Sequence, residues 1–551
     1  MLRRTIAGFM FLVLAAAALL LAAAEPSKLV GVSHGAAGQV AGSLHILDTG
    51  NARWMIDCGS ETDTDTEHVV AESASAKNPP GRLHDQYKAQ TLPVGVEKVD
   101  AVFLTHAHAD HMGRLPLLVA HGFSGPIYMT DATAVLAEIM LRAHTRYDHV
   151  QPRDWTWSKE RLARSQRDGK SLYLHWQNCK YCKKIAPSSL ERATGSLQEM
   201  IERFERQTPR VKAVACSECA EMEVASVLNL VKRVKYGWPI DVASGVRVTF
   251  LDAGHIPGSA SILFEVSLDG RQRRVLYSGD LGNSLSPVLT PPRPAPSVDA
   301  ALIECTYGPI HRKATVRLQP AEFRRTVGET VAQNGVAWIP CFSLDRTQKV
   351  LYELHLAQKE KLLPERLPIY CPSPVAKEAT AAYRKHRTED WFSPTVAADA
   401  EAFFLPRELQ GTVPSNRNLP RPCIIISTSD LLGAPWMQRL LADLLPEPTT
   451  GFFLVGYQPA NTAGDRLLHG AKTLEIDGRS VAAQAKIHSF SCFSGHADAG
   501  EIDAWLANVP KTATLVLVHG DPKELRGRAE QLRSQGRKRV VIAKPGEPVA
   551  F

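Results

Sequence analysis

The feature that most constrains this chain of 551 residues is a run of three imidazoles and one carboxylate, formed by His106, His108, Asp110 and His111. The run follows Val102–Leu104, which we predict to be a short buried strand, and precedes an apolar helix. So many titratable groups are costly there unless a metal ion pairs with them, and imidazole with carboxylate is a usual ligand set for zinc. Residues two apart on a turn point to one side, so the first two histidines can share one metal while Asp110 and His111 face a second. The alternative is an exposed, pH-sensitive histidine cluster.

Five further polar residues stand at or just past the end of an apolar, strand-like segment: Asp57, His255, Asp280, Glu304 and His519. Layered α/β folds collect functional side chains from several strand ends, because the scaffold is rigid there. Each residue alone could equally be a loop residue with satisfied hydrogen bonds. Together, and each near a glycine or another small residue that lets a metal approach, they predict one site built from many strand ends.

The order of these residues is similar to the signature of the metallo-β-lactamase superfamily, which here comprises Asp57, His106–His111, His255 and Asp280. Three later elements resemble the β-CASP nucleases, the group of the mRNA 3′-end endonuclease and the bacterial J-type ribonucleases: Glu304–Gly308, Ser494–Asp498 and Val518–Gly520. The resemblance extends from Lys28 to Phe551, apart from a cysteine-containing insertion, and its motifs are jointly specific.

The resemblance implies a role for each residue. A first zinc ion would be held by His106, His108, His255 and Asp280, and a second by Asp110, His111 and His519, with Asp280 bridging the two. The implied catalytic residues are Asp57, Asp110, Glu304 and His496. Asp57 would orient ligands or water, and His496 would act as a general acid with Glu304 hydrogen-bonded to it. A histidine at position 519 goes with RNA cleavage in this family, so RNA is the expected substrate.

Three positions depart from the family's pattern. Asp345 stands where the family usually has glycine, Pro372 replaces the usual aspartate, and Asp430 replaces another usual glycine. All three lie in the predicted lid domain, and none is an expected metal ligand. They therefore bear on substrate choice and on the path of the RNA more than on hydrolysis.

Four of the ten cysteines form two pairs, which are Cys179 with Cys182 and Cys216 with Cys219. We expect the four thiolates to bind a further, structural zinc ion, although the gap between the pairs is longer than usual. Two disulfides are the alternative in an exported protein, and a redox role is a third interpretation. Lysines and aromatic residues beside the first pair could bind an RNA backbone and stack on bases.

The first residues have the character of a targeting segment. Arg3 and Arg4 precede the apolar run Ile6–Ala24, which ends in small residues. This pattern is typical of a secretory signal peptide, and the run is also long enough for an uncleaved membrane anchor. We therefore expect a periplasmic, extracellular or membrane-anchored protein, and a cytoplasmic one if residues 1–24 are not a working signal. A buried apolar helix is the alternative.

The predicted fold is an α/β one. An αββα metallo-β-lactamase sandwich would comprise residues 26–307 and 488–551, with a small Cys-rich insertion at 145–238. An α/β β-CASP domain, residues 308–487, would be inserted between the two parts. Hydrophobic residues make up 44% of the chain, which suits a globular enzyme with a sizeable core.

The predicted activity is zinc-dependent, two-metal cleavage of single-stranded RNA, endonucleolytic, 5′-exonucleolytic or both. The net charge of +7 permits a polyanionic substrate without arguing for one. One alternative is a hydrolase of DNA or of a smaller ester. Another, from a different class, is a non-catalytic nucleic-acid-binding subunit, which the complete set of expected ligands disfavours.

Overall fold

Two seven-stranded sheets stack face to face and form the larger part of the molecule, which we call the base. The computed structural model describes residues 29–60, 92, 99–150, 224–403, 409–410, 413–428, 435–458 and 461–551. Helices cover the outer face of each sheet, so the layers run helix, sheet, sheet, helix. A third sheet with its own helices forms the lid domain. This is the sandwich with an inserted α/β domain that the sequence predicts.

The first sheet consists of β1 (Val30–Gly35), β2 (Leu44–Asp48), β3 (Arg53–Ile56), β4 (Ala101–Phe103), β5 (Ile127–Thr130), β6 (Val231–Val234) and β22 (Pro548–Ala550). Its order is β22-β1-β2-β3-β4-β5-β6, antiparallel from β22 to β3 and parallel from β3 to β6. Parallel strands end at one edge of a sheet, so the residues that follow β3 and β4 are neighbours.

The second sheet consists of β7 (Ile240–Ala243), β8 (Val246–Asp252), β9 (Ala260–Leu268), β10 (Arg271–Tyr277), β11 (Ala300–Glu304), β20 (Thr514–Val518) and β21 (Arg539–Ile542). Its order is β21-β20-β11-β10-β9-β8-β7, and the four strands from β10 to β21 are parallel. The chain therefore leaves the base after β11 and returns to pair β20 directly beside it.

Alternating side chains sort themselves between the layers, as the two-residue period of a strand requires. In β4, Phe103 packs between the sheets with its ring 5.1 Å from that of Phe264, whereas Val102 faces the helices. The helices outside the first sheet are α1 (Ala109–Met112), α2 (Leu115–Ala120) and α3 (Asp131–Val150); those outside the second are α10 (Ala499–Trp505) and α11 (Pro522–Ser534). Each large apolar side chain buried in these layers contributes about 1.5–3 kcal/mol.

The lid sheet consists of β12 (Val336–Pro340), β13 (Ile369–Tyr370), β14 (Leu409–Gln410), β15 (Cys423–Ser427), β16 (Gly451–Leu454) and β19 (Lys486–Ser489), all parallel, in the order β14-β13-β15-β12-β16-β19. A separate hairpin joins β17 (Thr473–Ile476) to β18 (Arg479–Ala482). The lid helices are α4 (Gln319–Ala332), α5 (Arg346–Lys359), α6 (Pro374–Lys385), α7 (Pro394–Ala398), α8 (Pro435–Leu444) and α9 (Ala463–Leu468). Helix α6 packs on α3, which joins lid and base in one hydrophobic cluster.

The structure corrects the predicted insertion at its C-terminal end. Residues 145–238 were expected to lie outside the sheets, but β6 pairs with β5 at the edge of the first sheet. Its sequence conceals the strand, because Lys232 and Arg233 are exposed there and break the apolar pattern. Charged side chains are common on edge strands, where they prevent further pairing. At the other boundary, β19 keeps the chain in the lid through Ser489 rather than residue 487.

Several predictions fall on residues that the structure does not describe. The N-terminal segment 1–24, Asp430 and the paired cysteines Cys179, Cys182, Cys216 and Cys219 all lie outside the described residues. Among the residues that are described, no helix has the length and apolar composition that crossing a bilayer requires.

One departure from the family's pattern has a visible structural cost. Asp345, which stands where the family usually has glycine, has φ 67° and ψ −55°, a backbone conformation that side chains rarely adopt. Its carboxylate is buried and lies 2.5 Å from the ammonium of Lys349, which is only 3% exposed. The hydroxyl of Tyr383 donates a second bond to it, at 3.2 Å. The ion pair compensates for the strain.

We expect Asp345→Gly to destabilise the protein, although it removes the strained side chain. Relief of the strain is worth about 1–3 kcal/mol, whereas a buried lysine without its partner costs about 3–5 kcal/mol. Urea unfolding should therefore show a loss of roughly 2 kcal/mol. The double variant Asp345→Gly/Lys349→Met should recover that loss. A single variant as stable as the unaltered protein would show that the ion pair contributes nothing.

Candidate metal centre

The predicted site residues converge where the strand ends of both sheets of the base meet. Five of the strand-end side chains are almost completely buried, and these are Asp57, His255, Asp280, Glu304 and His519. They meet the run His106–His111, which follows β4 and continues into α1. Asp57 and His519 have φ of 60° and 51°, so the chain turns sharply as each strand ends. Strain of this kind is concentrated at functional sites, where the surroundings enforce it.

A first set of ligand atoms belongs to His106, His108, His255 and Asp280 and lies within 4.8 Å. The Nδ1 atom of His108 is 3.1 Å from Nε2 of His106 and 3.2 Å from Nε2 of His255. These two Nε2 atoms lie 3.5 and 3.6 Å from Oδ2 of Asp280. Zinc bonds of about 2.0–2.1 Å at tetrahedral angles place ligand atoms roughly 3.4 Å apart. The set therefore fits a tetrahedrally coordinated zinc ion.

A second set consists of Asp110, His111 and His519. The Nε2 atoms of the two histidines are 3.4 Å apart and lie 3.6 and 3.4 Å from Oδ2 of Asp110. The same two nitrogens lie 3.4 and 3.6 Å from Oδ1 of Asp280. This oxygen is buried and accepts no hydrogen bond from any described residue. An orphaned carboxylate oxygen among bare imidazole nitrogens fits a cation, and Asp280 turns one oxygen to each set.

Hydrogen bonds to the outer ring nitrogens leave the inner ones free for a metal. Four rings are held in this way through Nδ1. His111 donates to Oδ2 of Asp57 at 2.6 Å and His106 to Oγ1 of Thr105 at 3.0 Å. His255 donates to the carbonyl of Gly495 at 3.1 Å and His519 to Oγ1 of Thr306 at 3.0 Å. Thr105 in turn donates to Asp57, at 2.9 Å, as does Ser43, at 3.2 Å. Each of these hydrogen bonds therefore turns the Nε2 atom of its ring toward the site.

The charges at the site favour neutral imidazoles in the first set and added positive charge at the second. Burial lowers the pKa of all three imidazoles in the first set, to about 4 for His108. Burial also opposes protonation of His111 and His519, but the carboxylates of Asp280 and Asp110 raise the pKa of His111 well above its usual value and that of His519 to about 9. Burial would raise the pKa of Asp280, but the neighbouring histidines hold it well below its usual value. The carboxylate is thus ionised and requires positive charge beside it, which a metal ion supplies.

His496 lies beside both ligand sets and forms a third candidate metal-binding group with Asp280 and His519, its Nδ1 4.0 Å from Oδ2 of Asp280. Its side chain is 19% exposed, and its Nδ1 lies 3.1 Å from Oε1 of Glu304. Main-chain amides of Leu281 and Thr306 also donate to Glu304, which fixes that carboxylate. The Oγ1 atom of Thr306 lies between two rings, 3.3 Å from Nδ1 of His496 and 3.0 Å from Nδ1 of His519. A single hydroxyl therefore connects His519 of the second ligand set to the partly exposed His496.

Two side chains from different parts of the base hold the His496 loop in place. Asn283, three residues after Asp280, donates to the carbonyls of Ser494 and His496 at 2.7 and 3.2 Å. Arg312 also donates to the carbonyl of His496 and forms an ion pair with Glu501 at 3.1 Å. The loop's own Gly495 permits close packing, because a Cβ there would lie 2.8 Å from the ring of His255.

The structure brings together all the predicted ligands of the two-ion centre and the implied catalytic residues. Sequence reasoning missed the residues that orient them, above all Thr105, Thr306, Ser43 and Asn283. Thr306 lies inside a motif that carries the resemblance, and Thr105 directly precedes the histidine run. Nearness in the sequence to these motifs was therefore the only signal for either residue. Serine, threonine and asparagine are abundant in loops, and their hydrogen bonds leave no pattern along a sequence.

Comparison with known proteins agrees with the fold and the site. Residues 37–163 match the family model of the metallo-beta-lactamase superfamily, 347–467 that of the Beta-Casp domain, and 480–543 that of the Zn-dependent metallo-hydrolase RNA specificity domain. Ribonuclease TTHA0252 of Thermus thermophilus is 30% identical over 532 residues, 94% of this chain and 99% of that protein. An RNase J-like protein of Methanocaldococcus jannaschii is 26% identical, covering 89% and 91%. Transcription termination factor FttA of Methanosarcina mazei is 24% identical, covering 89% and 66%.

The sandwich and its histidine-rich centre define a metal-dependent hydrolase of the metallo-β-lactamase superfamily. Within that superfamily the chain belongs to the β-CASP ribonuclease family.

We expect Thr306→Val to impair metal binding and catalysis, because the isosteric side chain leaves Nδ1 of His519 without an acceptor. Loss of such an outer hydrogen bond typically costs about 10- to 100-fold in metal affinity or activity. Thr306→Ser keeps the hydroxyl and serves as the matched control. Zinc affinity, measured by competition with a chelating dye, and ribonuclease activity are the readouts. Equal values for the valine and serine variants would show that the hydroxyl orients nothing.

Proposed function

We propose that the protein cleaves single-stranded RNA by zinc-dependent hydrolysis of a phosphodiester bond, with two ions at the centre. The observation that carries the proposal is the placement of Asp280, whose two carboxylate oxygens face two separate ligand sets. His496, paired with Glu304, lies beside both sets. A site of this composition has the parts that in-line hydrolysis of a phosphodiester needs.

His106, His108, His255 and Asp280 would hold one ion, and Asp110, His111, His519 and Asp280 the other. Bound zinc ions supply an activated water at neutral pH and neutralise the charge of the scissile phosphate. Asp57 orients His111 through a 2.6 Å hydrogen bond. Because the ligands are buried and cross-linked by hydrogen bonds, the protein fixes their geometry before the substrate arrives.

The protein's own residues provide the proton for the leaving oxygen. Nδ1 of His496 donates to Glu304, so the ring's Nε2 atom can carry the proton that is transferred. No described residue bonds to this Nε2, and the side chain is more exposed than those of the buried histidines His106, His111, His255 and His519. His496 is therefore placed to meet a substrate at the centre.

Two observations support RNA as the substrate. The segment that matches the RNA specificity domain, residues 480–543, contains both His496 and His519. Relatives that align over most of this chain are named ribonucleases. The lengths of the cleavage products distinguish endonucleolytic from 5′-exonucleolytic cleavage, or show that both occur.

The test is a cleavage assay with end-labelled single-stranded RNA and DNA of one sequence and the zinc-loaded protein. We expect RNA to be cut, and Asp110→Ala/His111→Ala to lose both zinc and cleavage. His496→Ala should keep its zinc and cleave about 100- to 10,000-fold more slowly, the usual contribution of a general acid. Metal analysis accompanies each variant, and Cys179→Ser/Cys216→Ser should lose one further ion if the paired cysteines bind structural zinc.

The assay also separates the alternatives. Cleavage of DNA as well as RNA would indicate a less selective nuclease. Survival of both nucleic acids, with the metal centre filled, would contradict the proposal and favour hydrolysis of a smaller ester or a non-catalytic binding subunit. Loss of zinc from His496→Ala would make that histidine a ligand rather than an acid.

We also propose that residues 1–24 direct export or anchor the protein in a membrane, on the basis of their basic start and apolar run. Fractionation of cells that express the full chain or a chain lacking residues 1–24 tests this. The full chain should be found outside the cytoplasm or in the membrane fraction, and the truncated chain in the cytoplasm. A full chain that stays in the cytoplasm would contradict the proposal.

A further inference from the structure

Trp238 is 70% exposed, on the turn that leads from β6 to β7. A large aromatic side chain in this position contributes little to folding and offers a flat apolar face to a ligand. The turn is nevertheless well anchored. The amide of Gly237 donates to the carbonyl of Phe250 at 2.8 Å, and the hydroxyl of Tyr236 donates to the carbonyl of Ser259, also at 2.8 Å. Trp238 therefore projects from a fixed backbone.

The same turn is joined to the metal centre. The hydroxyl of Ser259 accepts a 2.9 Å hydrogen bond from the amide of His255, one of the first-set ligands. The turn thus connects through a single residue, Ser259, with the loop that carries His255. Strands β3 to β6 are parallel, so this turn also lies at the strand ends where the centre is built.

Several cations lie on or close to this turn. Arg233 and Lys235 are exposed on and just after β6, and Lys232 is exposed on the opposite face of that strand. Arg293 comes from the loop after β10, and its Nη1 atom lies 3.3 Å from where a Cβ on Gly237 would be. Acidic residues offset part of this charge: Asp131 lies 3.7 Å from Arg233, and burial together with the charges of Asp252 and Asp390 raises the pKa of Tyr236, two residues before Trp238.

The lid continues the basic surface on the other side of the domain boundary. Lys385 ends α6, the helix that packs on the base, and is exposed. The next residue, His386, stacks on Trp391 with ring centroids 4.4 Å apart. Burial lowers the pKa of His386. The positive charges of Lys385 and Arg233 lower it further, whereas Glu389 opposes them. Lid and base therefore present cationic and aromatic groups to the same side of the molecule.

We propose that this surface, which comprises Arg233, Lys235, Trp238 and Arg293, holds the single-stranded RNA that extends from the metal centre. Trp238 stacks on a base, and the cations contact phosphates. The inference rests on the proposed function, because it assigns a path to the same substrate. Single-stranded nucleic acid is bound in this manner, by positively charged surfaces with aromatic platforms.

A purely structural explanation accounts for only part of the surface. Lysine and arginine on the edge strand β6 would discourage further strand pairing in any case. That explanation does not extend to Trp238, which is apolar and exposed, or to Arg293, which lies on no strand. Both lie on the side of the turn that faces away from the core, beside the loop that leads to His255.

The first test compares RNA binding by Trp238→Ala and Trp238→Phe in the full-length His496→Ala background, so that the RNA stays intact. The probe is a labelled RNA of about 16 nucleotides, and fluorescence anisotropy gives the Kd. Loss of the ring in Trp238→Ala should raise the Kd about tenfold, whereas Trp238→Phe, which can still stack, should keep most of the affinity. A labelled trinucleotide, which offers few bases for stacking, should show a smaller effect. Leu318→Ala, which removes another exposed apolar side chain (68%), is the matched control.

The second test is the salt dependence of the same Kd. Arg293→Gln should reduce the slope of log K against log salt by about 0.7, the value for one contact to a single strand. Arg271→Gln removes an exposed cation at the start of β10, the end of the strand opposite the metal centre, and should leave the slope unchanged. Unaltered binding by both Trp238→Ala and Arg293→Gln would overturn the proposal. If the active protein fails to cut RNA while these variants still weaken binding, the proposed function fails and the binding surface stands.

Discussion

The carboxylate of Asp280 is the constraint on which the site depends. It is 2% exposed, and four imidazole nitrogens surround it at 3.4–3.6 Å. An isolated charge buried to this extent would cost several kcal/mol. Compensation has to come from elsewhere in the chain, because no stretch of sequence around Asp280 supplies a histidine. The fold must therefore bring the histidines to Asp280 from the ends of β4, β8 and β20. This requires the two sheets to be stacked with these strand ends side by side.

The connection between the two domains also follows from this centre. The chain leaves the base after β11, builds the lid and returns through β19, whose last residue is Ser489. Seven residues later it supplies His496, and β20 then leads to His519. His496, the proposed general acid, therefore stands on the segment by which the chain re-enters the base. Asn283 and Arg312 bond to the main chain of this segment from outside the lid sheet, which fixes its position.

Sequence alone predicted the ligands because each follows an apolar strand, which gives a polar residue at that position a recognisable context. The residues that fix ring orientation had no such context. Thr105 and Thr306 act through single hydroxyl groups, and Ser43 through a contact between distant segments. The β6 strand escaped prediction because its exposed lysine and arginine conceal the alternation. Asp345 was recognised as unusual, but only its φ of 67° explains why glycine is usual there.

The exposure of the side chains divides the site into a rigid part and an adaptable part. Four of the histidine rings at the centre are held by hydrogen bonds to their outer nitrogens. The side chain of His496 is 19% exposed, whereas those of His111 and His519 are 2% and 3% exposed. By contrast, the side chains on the surface around Trp238 are exposed and charged, so they can change conformation without uncovering a core. Chemistry that requires fixed geometry is thus placed in the core, whereas groups that would meet a substrate of variable sequence are placed where side chains can adjust. Stacking and phosphate contacts tolerate such variation, because every base has a flat face and every nucleotide a charge.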